Sequence, residues 1–242
     1  MDIAVEPTEV SADQALVSIV VPVLDERDSL PRCLASLSGQ QPPCEVLVVD
    51  GGSTDGTRAL AASTQGVRVV DAPPGRASQM NAGARAARGA LLWFLHADCT
   101  APPGAVAALR RTLADPRVAL AAFRFAIDGD RPAYRLIERG VALRCRLLRL
   151  PYGDQGLALR RATFERIGGF EDVPLFEDVR LVRAARRLGR LALLPLALPT
   201  SPRRWERTGM LRLTVLHLRL ALLERLGVPP ARLAARRAQG TR

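Results

Sequence analysis

The strongest constraint on the fold is a rhythm in the first hundred residues. Short apolar runs alternate with helix-spaced segments, and most runs close on an acidic residue or a turn. Val17–Val23 (VSIVVPV) is a β-branched run, and residues 28–37 then place Leu30, Leu34 and Leu37 at helical spacing. Residues 45–49 (EVLVV) form a second run, closed by Asp50-Gly51-Gly52, after which Ser53 or Asp55 is placed to cap a helix reaching about Ser63. Strands are expected at 67–70 and 90–95, with a helix at 79–88 between them. This pitch predicts a parallel sheet with helices on both faces, a Rossmann-like half. Beyond Thr100 the rhythm loosens. Helices are expected at 103–114, 134–148, 162–167, 178–188 and 208–226, with strands at 118–127, 156–159 and 191–194 and a polar loop at 151–155.

Composition narrows the function classes. With 242 residues, 48% hydrophobic and 24% charged, the chain can bury a core and is not intrinsically disordered. Apolar runs such as 191–198 are too short to cross a bilayer, and the acidic, polar first 15 residues do not read as a secretory leader. Cys33, Cys44, Cys99 and Cys145 lack C-x-x-C spacing, which fits reduced thiols in a cytoplasmic protein. All 35 basic residues are Arg, against 24 acidic residues, giving a net charge of +11. The excess is local: residues 1–182 carry 21 Arg and 22 acids, while 183–242 carry 14 Arg and only Glu206 and Glu224. A near-neutral body with 4% aromatics disfavours a nucleic-acid partner.

In an open α/β sheet, ligands bind beyond the carboxyl ends of the strands. Asp25 and Glu26 follow the first strand, Asp50 the second, and His96-Ala97-Asp98 the fourth. Each acid alone is explained by a helix cap, but three on one rim repel one another without a cation or sugar hydroxyls. No G-x-x-x-x-G-K-[ST] or early G-x-G-x-x-G is present, which disfavours a P-loop and the usual dinucleotide fingerprint.

Five segments, SIVVPVLDE (18–26), EVLVVDGGSTDGT (45–57), GRASQMNAGARAARG (75–89), LLWFLHADC (91–99) and GGFEDVPLFEDVRL (168–181), resemble family 2 glycosyltransferases of the GT-A fold in order and spacing. The combination of LHADC, YGDQG (152–156) and SPRRWERTG (201–209) looks most like a small bacterial subgroup named for arsenosugar biosynthesis or carotenoid-type glycosyl transfer. The resemblance implies an α/β GT-A fold: a Rossmann-like, mostly parallel sheet flanked by helices, with a C-terminal helical extension. The expected organisation is a tail (1–15), a glycosyltransferase domain (16–200) and a basic extension (201–242). The domain divides into a nucleotide-binding half (16–100) and an acceptor-side half (101–200).

The resemblance further implies an inverting transfer from a nucleotide-diphosphate sugar to an acceptor hydroxyl. Pro22 and Glu26 would lie beside the nucleotide, Asp50 on its base or ribose, and Gly52 and Asp55 would shape that loop. Arg76 and Asn81 would line the donor pocket, where a guanidinium suits a diphosphate. Asp98 would hold Mn2+ or Mg2+ on the diphosphate. His96 stands where many relatives have Asp, and imidazole suits Mn2+ better than Mg2+. Glu177 and Asp178 match the family's acidic pair, with Asp178 as general base; the same pair also suits a helix N-terminus. Asp154 and Gln155 are expected near donor sugar or acceptor, with an ordinary turn as the alternative.

Arg203-Arg204-Trp205 resembles the Q-x-x-R-W element of processive synthases, with Ser201 in place of Gln. Trp205 then either stacks on a sugar or fills a core site. The alternative enzyme reading, a sugar-1-phosphate nucleotidyltransferase, lacks its Gly-rich basic signature near Val17–Val23.

The final helix carries two apolar stripes, Leu211-Val215-Leu218-Leu222 and Leu213-Leu216-Leu220-Leu223, with Arg212 and Arg219 between them. Two stripes serve the core alone, or the core plus a homodimer partner, or the core plus an anionic membrane surface carrying a lipid or lipid-linked acceptor.

Overall fold

A computed structural model describes residues 15–240. The expected tail, 1–15, lies outside them apart from Ala15, which is buried. Seven strands form one sheet: β1 (Val17–Val23), β2 (Cys44–Asp50), β3 (Val67–Asp71), β4 (Leu91–Phe94), β5 (Val118–Ile127), β6 (Ala158–Arg160) and β7 (Arg190–Thr200). Their order is β3-β2-β1-β4-β6-β5-β7. β6 runs antiparallel to β4 and β5, and the remaining pairs are parallel. The helices are α1 (Leu30–Ser38), α2 (Thr57–Ser63), α3 (Arg76–Ala86), α4 (Ala105–Ala114), α5 (Pro132–Leu148), α6 (Arg161–Ile167), α7 (Glu177–Leu188), α8 (Arg203–Thr208), α9 (Met210–Arg225) and α10 (Pro230–Gly240).

Alternation along β1 divides the core between the two faces of the sheet. Ile19 and Val21 share a cluster with Leu30 and Leu34 of α1 and Leu109 of α4. Val20 instead joins Met80 and Ala84 of α3 and Val182 of α7. α3 approaches the sheet at Gly83, where a Cβ would lie 2.3 Å from Val20 Cγ1 and 2.9 Å from Val49 Cγ2. No side chain fits there, so this glycine sets the distance of the helix from the sheet.

Strand direction then decides where the chemistry gathers. β1, β2 and β4 end on one rim, and the antiparallel β6 begins on it. The loop entering β6, Tyr152 to Gly156, is therefore delivered to the same edge as Asp50 and Asp98. β7 also ends there: Ser201 N donates to Asp98 O at 2.9 Å.

Some boundaries differ from the sequence expectation for identifiable reasons. β7 runs from Arg190 to Thr200 through Pro195 and Pro199, because it is an edge strand, where missing donors are tolerated. The expected final helix, 208–226, is α9, but it is not the last: the short α8 precedes it across Gly209 (φ 87°), and α10 follows. Neither Ser53 nor Asp55 is the N-cap of α2: Gly56 holds that position at φ 93°. Asp55 nevertheless accepts the Thr57 N–H at 2.9 Å from just outside the helix.

Candidate active site

On the nucleotide side of the rim, the acids act as fasteners for their own loops. Asp50 ends β2, is buried, and accepts the Gly52 and Ser53 amides through Oδ2 at 2.9 and 3.0 Å. Gly52, at φ 94°, allows that turn. Asp50 Oδ1 is buried with no partner among the described residues, an acceptor awaiting a donor. Asp25, itself left-handed at φ 53°, accepts the Thr54 N–H at 2.8 Å. Asp55 accepts the Arg27 and Thr57 amides and the Thr57 hydroxyl, and the hydroxyl bond is the main reason its carboxyl titrates below the usual range. Glu26 accepts from Arg203 at 2.9 Å, tying the first loop to α8. Pro22 is the penultimate residue of β1 and is buried opposite Val49.

On the other side of β4, the groups meet around one glycine. A Cβ at Gly153 would lie 3.2 Å from both Asp178 Oδ2 and His96 Nε2, so the backbone there passes against both side chains. The Gly153 N–H donates to Asp178 Oδ2 at 2.6 Å, and the Val179 N–H donates to Oδ1 at 2.7 Å. Asp178 sits in the first turn of α7, where backbone N–H groups favour a carboxylate. The residue before this helix, Phe176, is left-handed at φ 67°, a strained conformation for an aromatic residue that directs the Glu177-Asp178 pair.

His96 is pushed down to about 4 by burial first and then by the Arg76 charge, with Asp98 pulling the other way; the imidazole is neutral near pH 7. Asp154 is pushed up to about 6 by burial, an effect that Arg144 opposes and Asp178 and Asp98 reinforce. Its Oδ1 is buried without a partner among the described residues. Glu177 is buried and pairs with Arg76 at 3.4 Å, linking α3 to α7 across the rim.

Three of the expected site residues make internal contacts. Asn81 does not turn its amide to a donor pocket: Nδ2 donates to Phe170 O at 2.8 Å and Oδ1 accepts Phe170 N–H at 2.9 Å, so it fixes the Gly168-Gly169-Phe170 turn. Gln155 is buried and internal. It donates to Phe123 O at 2.9 Å and accepts from Arg144 and the Tyr152 N–H, locking the loop from behind while Asp154 faces the cluster. Trp205 is a buried core residue in the cluster of Phe125, Tyr134 and Leu213, its ring centroid 6.0 Å from that of Phe125. Its neighbour Arg204 is exposed, and its charge acts on both His96 and Asp154.

Sequence reasoning missed Gln79, Arg144 and Arg203 as supports. Gln79 Nε2 donates to Val23 O and Val49 O at 2.7 and 2.8 Å, joining the ends of β1 and β2. Arg144 lies 3.6 Å over the Tyr152 ring. Arg203 had a signal, its place beside Arg204, whereas nothing in the sequence marks Gln79 or Arg144.

Among the described residues, no three His, Cys, Asp or Glu side chains are placed to hold a metal ion together. His96 and Asp98, on either side of Ala97 after β4, offer one imidazole and one carboxylate, which suits only a cation that takes its remaining ligands from elsewhere.

The family model described as Glycosyl transferase family 2 matches residues 18–171. Glycosyltransferase AglE of Haloferax volcanii is 34% identical over 93 residues, which are 35% of this chain and 31% of AglE. A PGL/p-HBAD biosynthesis glycosyltransferase of Mycobacterium bovis is 40% identical over 90 residues, 34% of each chain. The matches thus span about a third of these relatives' lengths. Among solved structures, the mannosyltransferase PcManGT from Pyrobaculum calidifontis, in complex with GDP-Man and Mn2+, superimposes with a TM-score of 0.67 at 23% identity, covering 93% of this chain and 70% of that one. S. aureus TarS 1–349 in complex with UDP gives 0.64 at 17%, covering 77% and 60%. At such identities the likeness is one of fold, and the fold is GT-A. With the family model covering more than half of its length and its sheet and helices arranged as in those structures, the chain belongs to glycosyl transferase family 2.

Proposed function

We propose that the chain transfers a sugar from a nucleoside-diphosphate sugar to an acceptor hydroxyl with inversion at the anomeric carbon. The observation that carries this reading is the convergence of His96 and Asp178 on Gly153, beside Asp154 in the chain and on the same rim as the buried Asp50 Oδ1, which has no partner among the described residues. One side accepts hydrogen bonds from a nucleoside and the other supplies carboxylates for chemistry. PcManGT was solved with a nucleotide sugar and Mn2+, and TarS with UDP, which supports the donor class.

In this mechanism Asp50 Oδ1 accepts from the base or ribose, while Oδ2 holds the loop in shape. Arg76, at the first position of α3, offers its guanidinium to the diphosphate, and Glu177 orients it. Asp178 takes the proton of the acceptor hydroxyl as its oxygen attacks the anomeric carbon opposite the leaving group. Each Asp178 oxygen already accepts one amide and keeps a further lone pair, so the carboxylate is positioned without being used up. Arg204 adds positive charge near the leaving group. Asp98 and His96 would hold a divalent ion, Mn2+ or Mg2+, which would supply charge neutralisation to the diphosphate. The division into a nucleotide half (16–100) and an acceptor half (101–200) follows the two sides of β4.

Among the described residues no helix is long and apolar enough to cross a membrane. The four cysteines are unpaired, which supports a reducing, cytoplasmic setting. The test is nucleoside-diphosphate release from UDP- and GDP-sugars, with Asp98→Ala and Asp178→Asn as controls. Release that depends on both residues is expected; turnover unchanged in Asp178→Asn would remove the assigned base.

A further inference from the structure

Two helices that share one hydrophobic cluster with β5 and Trp205 leave leucines in water. Tyr134, Ile137 and Val141 of α5 join Leu213 and Leu216 of α9 in one cluster around Trp205. The opposite side of α5 exposes Leu136 (71%), Leu143 and Leu147 (68%), which the helical period places on a single stripe. α9 repeats the arrangement. Its inner stripe buries Leu213 and Leu220, while Val215, Leu218 (66%) and Leu222 are exposed.

Both stripes are bordered by arginine. Arg139 and Arg146 flank the α5 stripe, Arg212 and Arg219 flank that of α9, and all four are exposed without an ion pair among the described residues. The acids of these helices are turned inward. Glu138 is buried and bonded to the Ile127 N–H and Arg135, and Glu224 is held by Arg183. The outer faces therefore combine apolar area with uncompensated positive charge. A second copy would cover the leucines only by bringing arginine rows against arginine rows. An anionic bilayer answers both features, taking leucines into its interfacial layer and guanidiniums at its phosphates.

We propose that α5 and α9 form a docking face for an anionic lipid bilayer. The face adjoins the acceptor side of the site: Arg144 of α5 bonds Gln155 of the catalytic loop at 3.1 Å, and α9 follows α8, which carries Arg204, after Gly209 alone. An acceptor hydroxyl borne by an amphiphile at the bilayer surface would thus be presented beside Asp178. That consequence rests on the glycosyl-transfer reading, whereas docking itself does not.

The test is co-sedimentation of the full chain with vesicles of phosphatidylcholine alone or mixed with phosphatidylglycerol, with no donor present. Binding is expected to be roughly tenfold or more stronger to the anionic vesicles and to weaken with salt. Leu143→Glu/Leu147→Glu and Leu218→Glu/Leu222→Glu should abolish it. Arg139→Gln/Arg146→Gln, which keeps every leucine, should reduce it about tenfold. All these side chains are exposed, so thermal melting and nucleotide binding should match the wild type. Equal binding to both vesicle types, no binding, or indifference to the arginine pair would overturn the proposal. A concentration-dependent dimer dissolved by Leu143→Glu/Leu147→Glu would do the same and assign the face to self-association. Vesicle binding without any nucleotide-sugar turnover would leave docking standing and count against the catalytic reading instead.

Discussion

The two sides of the rim handle negative charge in opposite ways. Along the loops after β1 and β2, Asp25, Asp50 and Asp55 each accept backbone amides from residues 27 to 57, so the acids are neutralised by the loops they shape. Beyond β4, burial first and then the charges of Asp178 and Asp98 raise the cost of ionising Asp154, whose buried Oδ1 has no partner among the described residues. The first side is shaped before any ligand arrives, with Asp50 Oδ1 alone of these carboxylate oxygens buried and unmatched among the described residues. The second is left in electrostatic tension, which a bound cation, a proton or a sugar hydroxyl relieves. A preorganised binding surface beside an incompletely compensated reacting surface is what an enzyme needs when it grips one part of its substrate and transforms another.

The largest expected effect is on the tense side. Asp178→Asn should lower turnover by about 10²–10⁴-fold, the usual contribution of a positioned base, and should leave nucleotide affinity unchanged. An equal loss of affinity would erase the distinction between the two sides. Next is Asp50→Asn, which keeps one oxygen for the Gly52 and Ser53 amides but replaces the free acceptor with a donor. Nucleoside-diphosphate binding, measured by calorimetry, should weaken roughly 10–100-fold, the worth of a hydrogen bond to a charged group. Gln155→Ala should cost about 1–3 kcal/mol in denaturant unfolding, because it strands the Phe123 carbonyl and loosens the Asp154 loop.

The smallest effect sharpens the comparison through pH. Asp154 is raised to about 6, so the folded state binds the extra proton and this group's stabilisation is lost as pH rises from about 4 through 6. His96 is lowered to about 4, so its stabilisation is present above the ordinary histidine range and is lost as pH falls toward 4. The two trends oppose each other between pH 4 and 6. Asp154→Asn should therefore raise the Tm at pH 7 by roughly 2–4 °C and expose the His96 trend alone, with stability falling toward acid. A Tm at pH 7 unchanged by the substitution would mean that Asp154 is already compensated.

The first side was also the more legible in the sequence. β1 to β4 and the acids at their ends follow from β-branched runs at regular pitch, and local hydrogen bonds complete those loops. The second side depends on contacts between distant segments. Gly153 meets Asp178 25 residues on, and Gln155 reaches back to Phe123 across 32. No periodicity shows that Gln155 points inward while Asp154 points to the cluster, since adjacent polar residues in a loop read alike. Trp205 was ambiguous for the same reason: its neighbours Phe125 and Tyr134 come from a strand and a helix far earlier in the chain. The prolines in β7 hid its length because the sequence does not declare which strand lies at an edge. The exposed leucines of α5 lie in a segment whose sequence shows only a helix, and the cluster around Trp205 decides which of its faces is already taken.

The measurement that bears most directly on the central claim compares binding and turnover in one pair of variants. Nucleoside-diphosphate affinity and nucleoside-diphosphate release from the sugar donor would be determined for Asp50→Asn and Asp178→Asn beside the wild type. The account predicts that Asp50→Asn loses affinity, and that Asp178→Asn binds normally while its release rate collapses. Both variants losing affinity alike, or Asp178→Asn turning over at the wild-type rate, would contradict it.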